Sequence, residues 1–336
     1  MLTHFEIVTE SVEFPSLRGN PAGDPWIREV AAIVPKGAGG VRAQDSAAHP
    51  VVILLAGYAG TGPMMLNRRA WVPSLPEQID GMRERGEIGD LVVVLPDGFT
   101  VYGGSQYVNS TATGRYRDMI TEDLIPWISR RFPASALPRH RAVAGKSSGG
   151  FGALSLAMDR PDLFAAAACH SGDMYFEYSY QLDFPRLLAQ IGKRGSLKGF
   201  IEAFLAAPKK TGDEVLAMNI VAMAACYSPD PARPWRVALP FDQRTGEMDP
   251  DVWARWLEHD PVRRVDRCAN ALRGLRLLFL DCGSRDQFNL QYGLRILTER
   301  LCRLGIPHEA CEFDDDHSDT SYRWDVSLPK IWTAIR

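Results

Sequence analysis

Gly145-Lys146-Ser147-Ser148-Gly149 is the stretch of this chain whose residue types and spacing most directly imply chemistry. A serine flanked by glycine two places before and two after follows a short apolar run (Ala142, Val143, Ala144) and precedes a small-residue helical segment. That is the spacing of a nucleophile elbow, G-x-S-x-G, in strand–turn–helix context. The serine occupies a strained turn that lifts its hydroxyl above the sheet, and a side chain at either flanking position would collide with nearby backbone. The helix that follows points its N-terminus at negative charge developing beside the serine. Gly-Lys-Ser also ends a phosphate-binding P-loop, but that motif needs glycine five residues before Gly145, where the chain has His140. A tight strand–helix turn without chemistry is the plain alternative. Ser148 is the weaker nucleophile candidate, because two places before it stands Lys146 and not glycine.

A serine nucleophile needs a base within hydrogen-bond reach and an acid to orient that base. In a sheet with an elbow the chain order is Ser, then Asp or Glu, then His. The run Leu275–Leu280 reads as a late strand, and Asp281-Cys282-Gly283-Ser284-Arg285-Asp286-Gln287-Phe288 follows it. Asp281, at the strand end, and Asp286, farther out in the loop, both qualify, and geometry favours Asp286 only slightly. Of the seven histidines, His317 alone lies in a loop after the last strand, Glu309–Phe313. His4 and His49 precede the core, His140 precedes the elbow strand, His170 ends the next strand, His259 falls in an insertion and His308 precedes the last strand. The acidic run Asp314–Asp316 lacks calcium-loop spacing and its glycine, and reads as a solvated turn. The two N–H donors for an oxyanion are expected from Ser148 and, in the loop Ala56-Gly57-Tyr58-Ala59-Gly60, from Tyr58. The plain reading of those glycines is that they only turn the chain.

Several elements must hold these residues. Val51–Leu55, Leu91–Leu95, Arg141–Ala144 and Leu275–Leu280 are short continuous apolar runs, the mark of parallel strands buried on both faces. Residues 5–14 and 26–34 also read as strands, joined by turn residues between Pro15 and Pro25, and Lys36–Pro50 reads as a polar loop. Helical segments fall between: Ser74–Arg85, Thr121–Arg131 with Thr121 as its cap, Gly150–Asp159, and Leu290–Leu304 with a leucine stripe. This alternation predicts an α/β, doubly wound, mostly parallel sheet. From about Met174 to Asn270 no buried strand is evident. Helical patches (Phe184–Ile191, Leu197–Leu205, Glu214–Cys226, Asp251–Glu258) and a Pro-rich loop fill the interval. The expected organisation is a core of residues 1–173 and 271–336 with a helical lid insertion at 174–270. Trp253 and Trp256 either line a pocket or pack the insertion.

The bulk numbers narrow the partners. The 336 residues are 46% hydrophobic and 24% charged with net charge −3, ordinary for a soluble globular protein. No long run of either sign suits nucleic acid or an anionic membrane. No apolar stretch approaches the ~18 residues of a membrane span, and the N-terminus has no signal-peptide pattern. The six cysteines (Cys169, Cys226, Cys268, Cys282, Cys302, Cys311) are scattered without a C-x-x-C pair, as reduced thiols of a cytoplasmic protein would be. A homo-oligomer is compatible with this composition, which sets no subunit number.

In order along the chain, LLAGYAG (54–60), VVVLPDG (92–98), YVNSTATGRYRDMITEDLIPWI (107–128), AVAGKSSGGFGAL (142–154), DCGSRDQF (281–288) and DDHS (315–318) resemble the esterase D family of α/β hydrolases. That group includes S-formylglutathione hydrolases, feruloyl and acetylxylan esterases and enterochelin-esterase-like proteins. The resemblance covers nearly the whole core and implies the α/β-hydrolase fold. It also implies the acid: the aspartate before Gln-Phe matches Asp286, the histidine before serine matches His317, and the nucleophile matches Ser147. Many relatives have His-Gly where this chain has Ala56-Gly57, and the insertion is longer than in S-formylglutathione hydrolases. The expected function is hydrolysis of carboxylic esters or thioesters through an acyl-enzyme, with a small-molecule substrate and neither metal nor organic cofactor. The rivals are an acyltransferase using an alcohol acceptor and a catalytically silent binding protein on the same fold.

Overall fold

The computed structural model describes residues 2–40 and 48–336; part of the polar loop expected at Lys36–Pro50, residues 41–47, lies outside the described residues. Eight strands form one sheet: β1 (Phe5–Glu13), β2 (Ile27–Pro35), β3 (Val51–Leu55), β4 (Val92–Pro96), β5 (Arg141–Lys146), β6 (Ala166–His170), β7 (Leu277–Gly283) and β8 (Glu309–Phe313). Their order is β1-β2-β4-β3-β5-β6-β7-β8. β1 pairs antiparallel with β2 and β2 antiparallel with β4, while β4 through β8 are parallel. Every residue of β3 and β4 is buried, which the unbroken runs VVILL and VVVLP require of strands covered on both faces. β8 is an edge strand, with Glu309, Ala310, Cys311 and Glu312 exposed.

The helices lie in chain order between these strands. α1 (Leu75–Glu84) starts at Ser74, whose backbone N–H donates to Glu77 Oε2 at 2.8 Å in a capping box. α2 is one helix in three registers: Tyr116–Asp118, a wider π stretch Met119–Leu124, and Ile125–Arg131. Thr121 is therefore not a cap. The chain enters the helix five residues earlier, and Thr121 is buried inside the π stretch. α3 (Ser148–Asp159) is buried from Ser148 to Met158 and packs on β5 and β6, as its all-round small and apolar composition demands. α11 (Leu290–Arg303) and α12 (Trp324–Ile335), the last two helices, cover β7 and, for α12, also β6.

The insertion between β6 and β7 is helical. It contains α4 (Phe176–Ser179), α5 (Phe184–Arg194), α6 (Leu197–Ala206), α7 (Gly212–Tyr227), α8 (Pro250–Leu257), α9 (Pro261–Arg264) and α10 (Ala269–Arg273). Residues from Phe176 to Trp256 form their own apolar cluster, joined to the rest by Tyr102, Val108, Ala112 and Phe151. Val262, Val265, Ala269 and Leu272 pack instead in the sheet core. The buried Asp260 carboxylate ties the two ends together, accepting from the N–H groups of Tyr175 at 3.0 Å, Phe176 at 3.2 Å and Val262 at 3.0 Å. Trp256 is fully buried, donates to Ser228 Oγ at 2.8 Å and stacks among Phe184, Tyr227 and Trp253. Both tryptophans pack the insertion.

Candidate active site

In a doubly wound sheet the loops that leave the strand carboxyl ends diverge where the strand order reverses, and a crevice opens there. Here the reversal flanks β3, which lies between β4 and β5. The loops after β3 and β5 therefore meet, and a Cβ on Gly57 would lie 3.3 Å from Ser147 Cβ.

The turn after β5 is forced by its glycines. A Cβ at Gly145 would fall 2.2 Å from Gly149 O, and one at Gly149 would fall 2.1 Å from Leu55 O. No side chain fits either place, so the spacing around Ser147 reflects steric necessity. Ser147 itself takes φ 57° and ψ −126°, a region that costs a non-glycine residue ~1–3 kcal/mol. Its backbone N–H donates to His170 O at 2.9 Å, which pins the strained turn to β6. Other non-glycine residues at positive φ gather nearby: Gln106, Tyr107, Ser171 and Tyr175. The N–H groups of Ser148, at the start of α3, and of Tyr58 have no protein acceptor among the described residues. The Tyr58 ring is anchored by its hydroxyl, which donates to Tyr102 O at 3.0 Å.

The loops after β7 and β8 supply the acid and the base. His317 Nδ1 lies 2.7 Å from Asp286 Oδ2, and the Asp286 side chain is wholly buried. Phe288 N–H donates to Asp286 Oδ1 at 2.9 Å, and Cys282 Sγ reaches Asp286 Oδ2 at 3.6 Å. The Phe288 ring meets the imidazole edge-on, with centroids 4.8 Å apart. His317 N–H donates to Gln287 Oε1 at 3.0 Å, so two contacts fix the loop that carries the ring. Asp281, the competing acid, lies inside β7 and not at its end, because β7 runs to Gly283. Its Oδ1 lies 2.6 Å from His170 Nδ1, and its Oδ2 accepts from Arg323 Nε at 2.9 Å.

Ser147, Ser148, Tyr58 and His317 line one cavity of about 200 Å³. The insertion contributes Val215, Leu216 and Asn219 of α7, the loop after β7 contributes Phe288, and the start of α11 contributes Leu290. The same cavity is lined by Asp173, Ser179 and Tyr180, which sequence reasoning missed. Asp173 Oδ2 accepts from Ser148 Oγ at 3.2 Å, Gln106 Nε2 at 2.9 Å and Tyr180 OH at 2.8 Å. Burial pushes the Asp173 carboxyl above its ordinary value, against the pull of the Gln106 and Tyr180 donors and of His317. A signal for it existed: Ser171-Gly172-Asp173 follows β6, beside the elbow strand, where carboxyl ends of strands carry sites. Lys146, between the elbow glycine and Ser147, is half-buried. Desolvation draws its ammonium below the ordinary value, while Asp286, Asp319 and Asp316 hold it up.

Among the described residues, no group of three His, Cys, Asp or Glu side chains is arranged to hold a metal ion. No described helix is long and apolar enough to cross a membrane.

The sequence matches the model of the Esterase family over residues 30–335. Esterase MT1326 and Esterase Rv1288, from two strains of Mycobacterium tuberculosis, are each 38% identical to it over 93 residues. That stretch is 27% of this chain and 20% of either relative, so the match spans a small part of the curated relatives' length. Among solved structures, a ferulic acid esterase superposes with TM-score 0.62 at 17% identity, covering 98% of this chain and 99% of the other. An S-formylglutathione hydrolase from Staphylococcus aureus gives TM-score 0.60 at 16% identity over 99% and 100% of the two chains. Mycobacterium tuberculosis MPT51 gives 0.58 at 16% identity over 98% and 99%. At such identities the likeness shows the shared α/β-hydrolase fold.

Proposed function

The chain belongs to the Esterase family, and from that premise we propose that it hydrolyses carboxylic esters or thioesters of small molecules through an acyl-enzyme. The observation that carries this reading is a serine on a strained elbow facing the same cavity as a histidine held by a wholly buried aspartate. His317 takes the proton from Ser147 Oγ as that oxygen attacks the carbonyl carbon. Asp286 holds Nδ1–H, fixes the tautomer and stabilises the imidazolium. The N–H groups of Ser148 and Tyr58 receive the oxyanion, and removing one such donor typically costs ~10²–10³ in rate. His317 then returns the proton to the departing alcohol or thiol. Water then gives a proton to His317 as its oxygen bonds to the acyl carbon, the bond to Ser147 Oγ breaks, and His317 returns the proton to Oγ, which releases the acid and free Ser147. Six free cysteines with no disulfide fit a cytoplasmic setting.

A panel of esters and thioesters assayed with a competing alcohol tests the reaction class. Free acid is the expected product throughout. A product in which the added alcohol carries the acyl group, formed in preference to acid, would overturn hydrolysis in favour of acyl transfer.

A further inference from the structure

The lining of the cavity beside Ser147 is mixed: Val215, Leu216, Phe288 and Leu290 are apolar, while Asp173, Ser179, Tyr180 and Asn219 are polar. The polar groups have a sign. Asp173 Oδ2 is saturated by the three donors from Ser148, Gln106 and Tyr180. Its second oxygen, Oδ1, has no protein partner among the described residues. Asn219 Oδ1 and Ser179 Oγ are buried with no partner either. No lysine or arginine lines the cavity, and the basic side chain there is His317, which Asp286 already holds. A buried acceptor left unpaired costs ~1–3 kcal/mol, which applies to Asn219 Oδ1 and Ser179 Oγ; a ligand that brings donors satisfies them together with the unpaired Asp173 Oδ1.

Resting on the acyl-enzyme reading above, we propose that Asp173 determines specificity, selecting esters whose group in this cavity carries a hydrogen-bond donor, a hydroxyl or an ammonium. At about 200 Å³ the cavity suits a small substituent. The tyrosine and glutamine that grip Oδ2 keep the carboxyl from rotating, and Oδ1 is left as a fixed acceptor. Tyr180 is itself clamped against Phe176, Tyr227 and Trp256, so the insertion holds the acceptor in place. A substrate lacking the donor leaves Asp173 unpaired in the closed site. A site built around such an acceptor rejects that analogue more sharply than an apolar pocket rejects a missing methylene.

The test compares matched p-nitrophenyl esters of propionate, 3-hydroxypropionate and 3-aminopropionate, with ethyl, 2-hydroxyethyl and 2-aminoethyl acetates as the alcohol-side series. In the native chain, kcat/KM for at least one donor-bearing member is expected to exceed that of its plain partner by about 10- to 100-fold. The hydroxyl and amine arms tell the two donor classes apart. In Asp173→Asn that ratio is expected to fall to within about threefold of unity, and Asp173→Ala repeats the measurement should the asparagine variant not fold. Equal loss on plain and donor-bearing esters, with the ratio kept, would show that Asp173 acts only by supporting Ser148 and overturns the proposal. So does a native chain that cleaves plain esters without preference in either series, and in that case the hydrolase reading stands. If no ester is cleaved at all, both readings fail.

Discussion

Among the described residues two groupings bring serine, histidine and aspartate together. In one, Asp286 grips His317 Nδ1 at 2.7 Å in the cavity that Ser147 lines. In the other, Asp281 grips His170 Nδ1 at 2.6 Å, and His170 Nε2 lies 2.9 Å from Ser327 Oγ. The hydrogen bonds alone would make the second grouping look the better formed. Its surroundings say otherwise. His170, Asp281 and Ser327 are buried, Arg323 takes the second oxygen of Asp281, and the Trp324 ring packs edge-on against the imidazole with centroids 4.6 Å apart. Ser327 lies within α12, in the interior of a regular helix. Ser147 has the strained φ, a helix N-terminus behind it and an open cavity in front. The difference teaches that a proton relay needs access and a place for developing charge, and that the relay geometry by itself also serves to bolt a C-terminal helix to a sheet.

The comparison can be broken one residue at a time. The largest effect is expected from Ser147→Ala, which should lower kcat for p-nitrophenyl acetate by ~10⁶ while the melting temperature stays within a few degrees. Asp286→Asn should cost ~10⁴ in kcat, through the wrong tautomer of His317, again with little change in melting temperature. Asp281→Asn should do the reverse. It strips the buried His170 and the half-buried Arg323 of their partner, so ~3–5 kcal/mol of stability should be lost by denaturant unfolding, with kcat of the folded fraction nearly unchanged. Ser327→Ala is the mildest of the set. Losing one neutral hydrogen bond should cost ~1 kcal/mol and leave the rate within about twofold. A rate loss in Asp281→Asn comparable with that in Asp286→Asn would erase the distinction drawn between the two groupings.

The same contrast separates what local sequence dictates from what only the folded chain brings together. The elbow was legible because its glycines answer to sterics: no Cβ fits at Gly145 or Gly149, so the motif cannot drift without losing the turn. The buried parallel strands were legible because coverage on both faces demands unbroken apolar runs such as VVILL. Asp281 and Asp286 were not separable by position alone, because the choice depends on which histidine each meets across the sheet. His170 reaches Asp281 through the pairing of β6 with β7, in register His170 with Asp281, a long-range fact that local spacing does not contain. Thr121 misled for a related reason, since a polar residue before an apolar helical run reads as a cap, yet the π stretch carries the helix through it. Asp173 escaped because its meaning comes from partners far apart in the chain: Gln106 from one loop, Ser148 from the elbow and Tyr180 from the insertion.

Labelling of the native chain with a fluorophosphonate, followed by mass-spectrometric mapping of the modified peptide, tests most directly which serine is the nucleophile. The expected result is one adduct, on Ser147, lost in Ser147→Ala and kept in Ser327→Ala. An adduct on Ser327 or Ser148, or ester hydrolysis that continues while Ser147 remains unlabelled, would contradict the account.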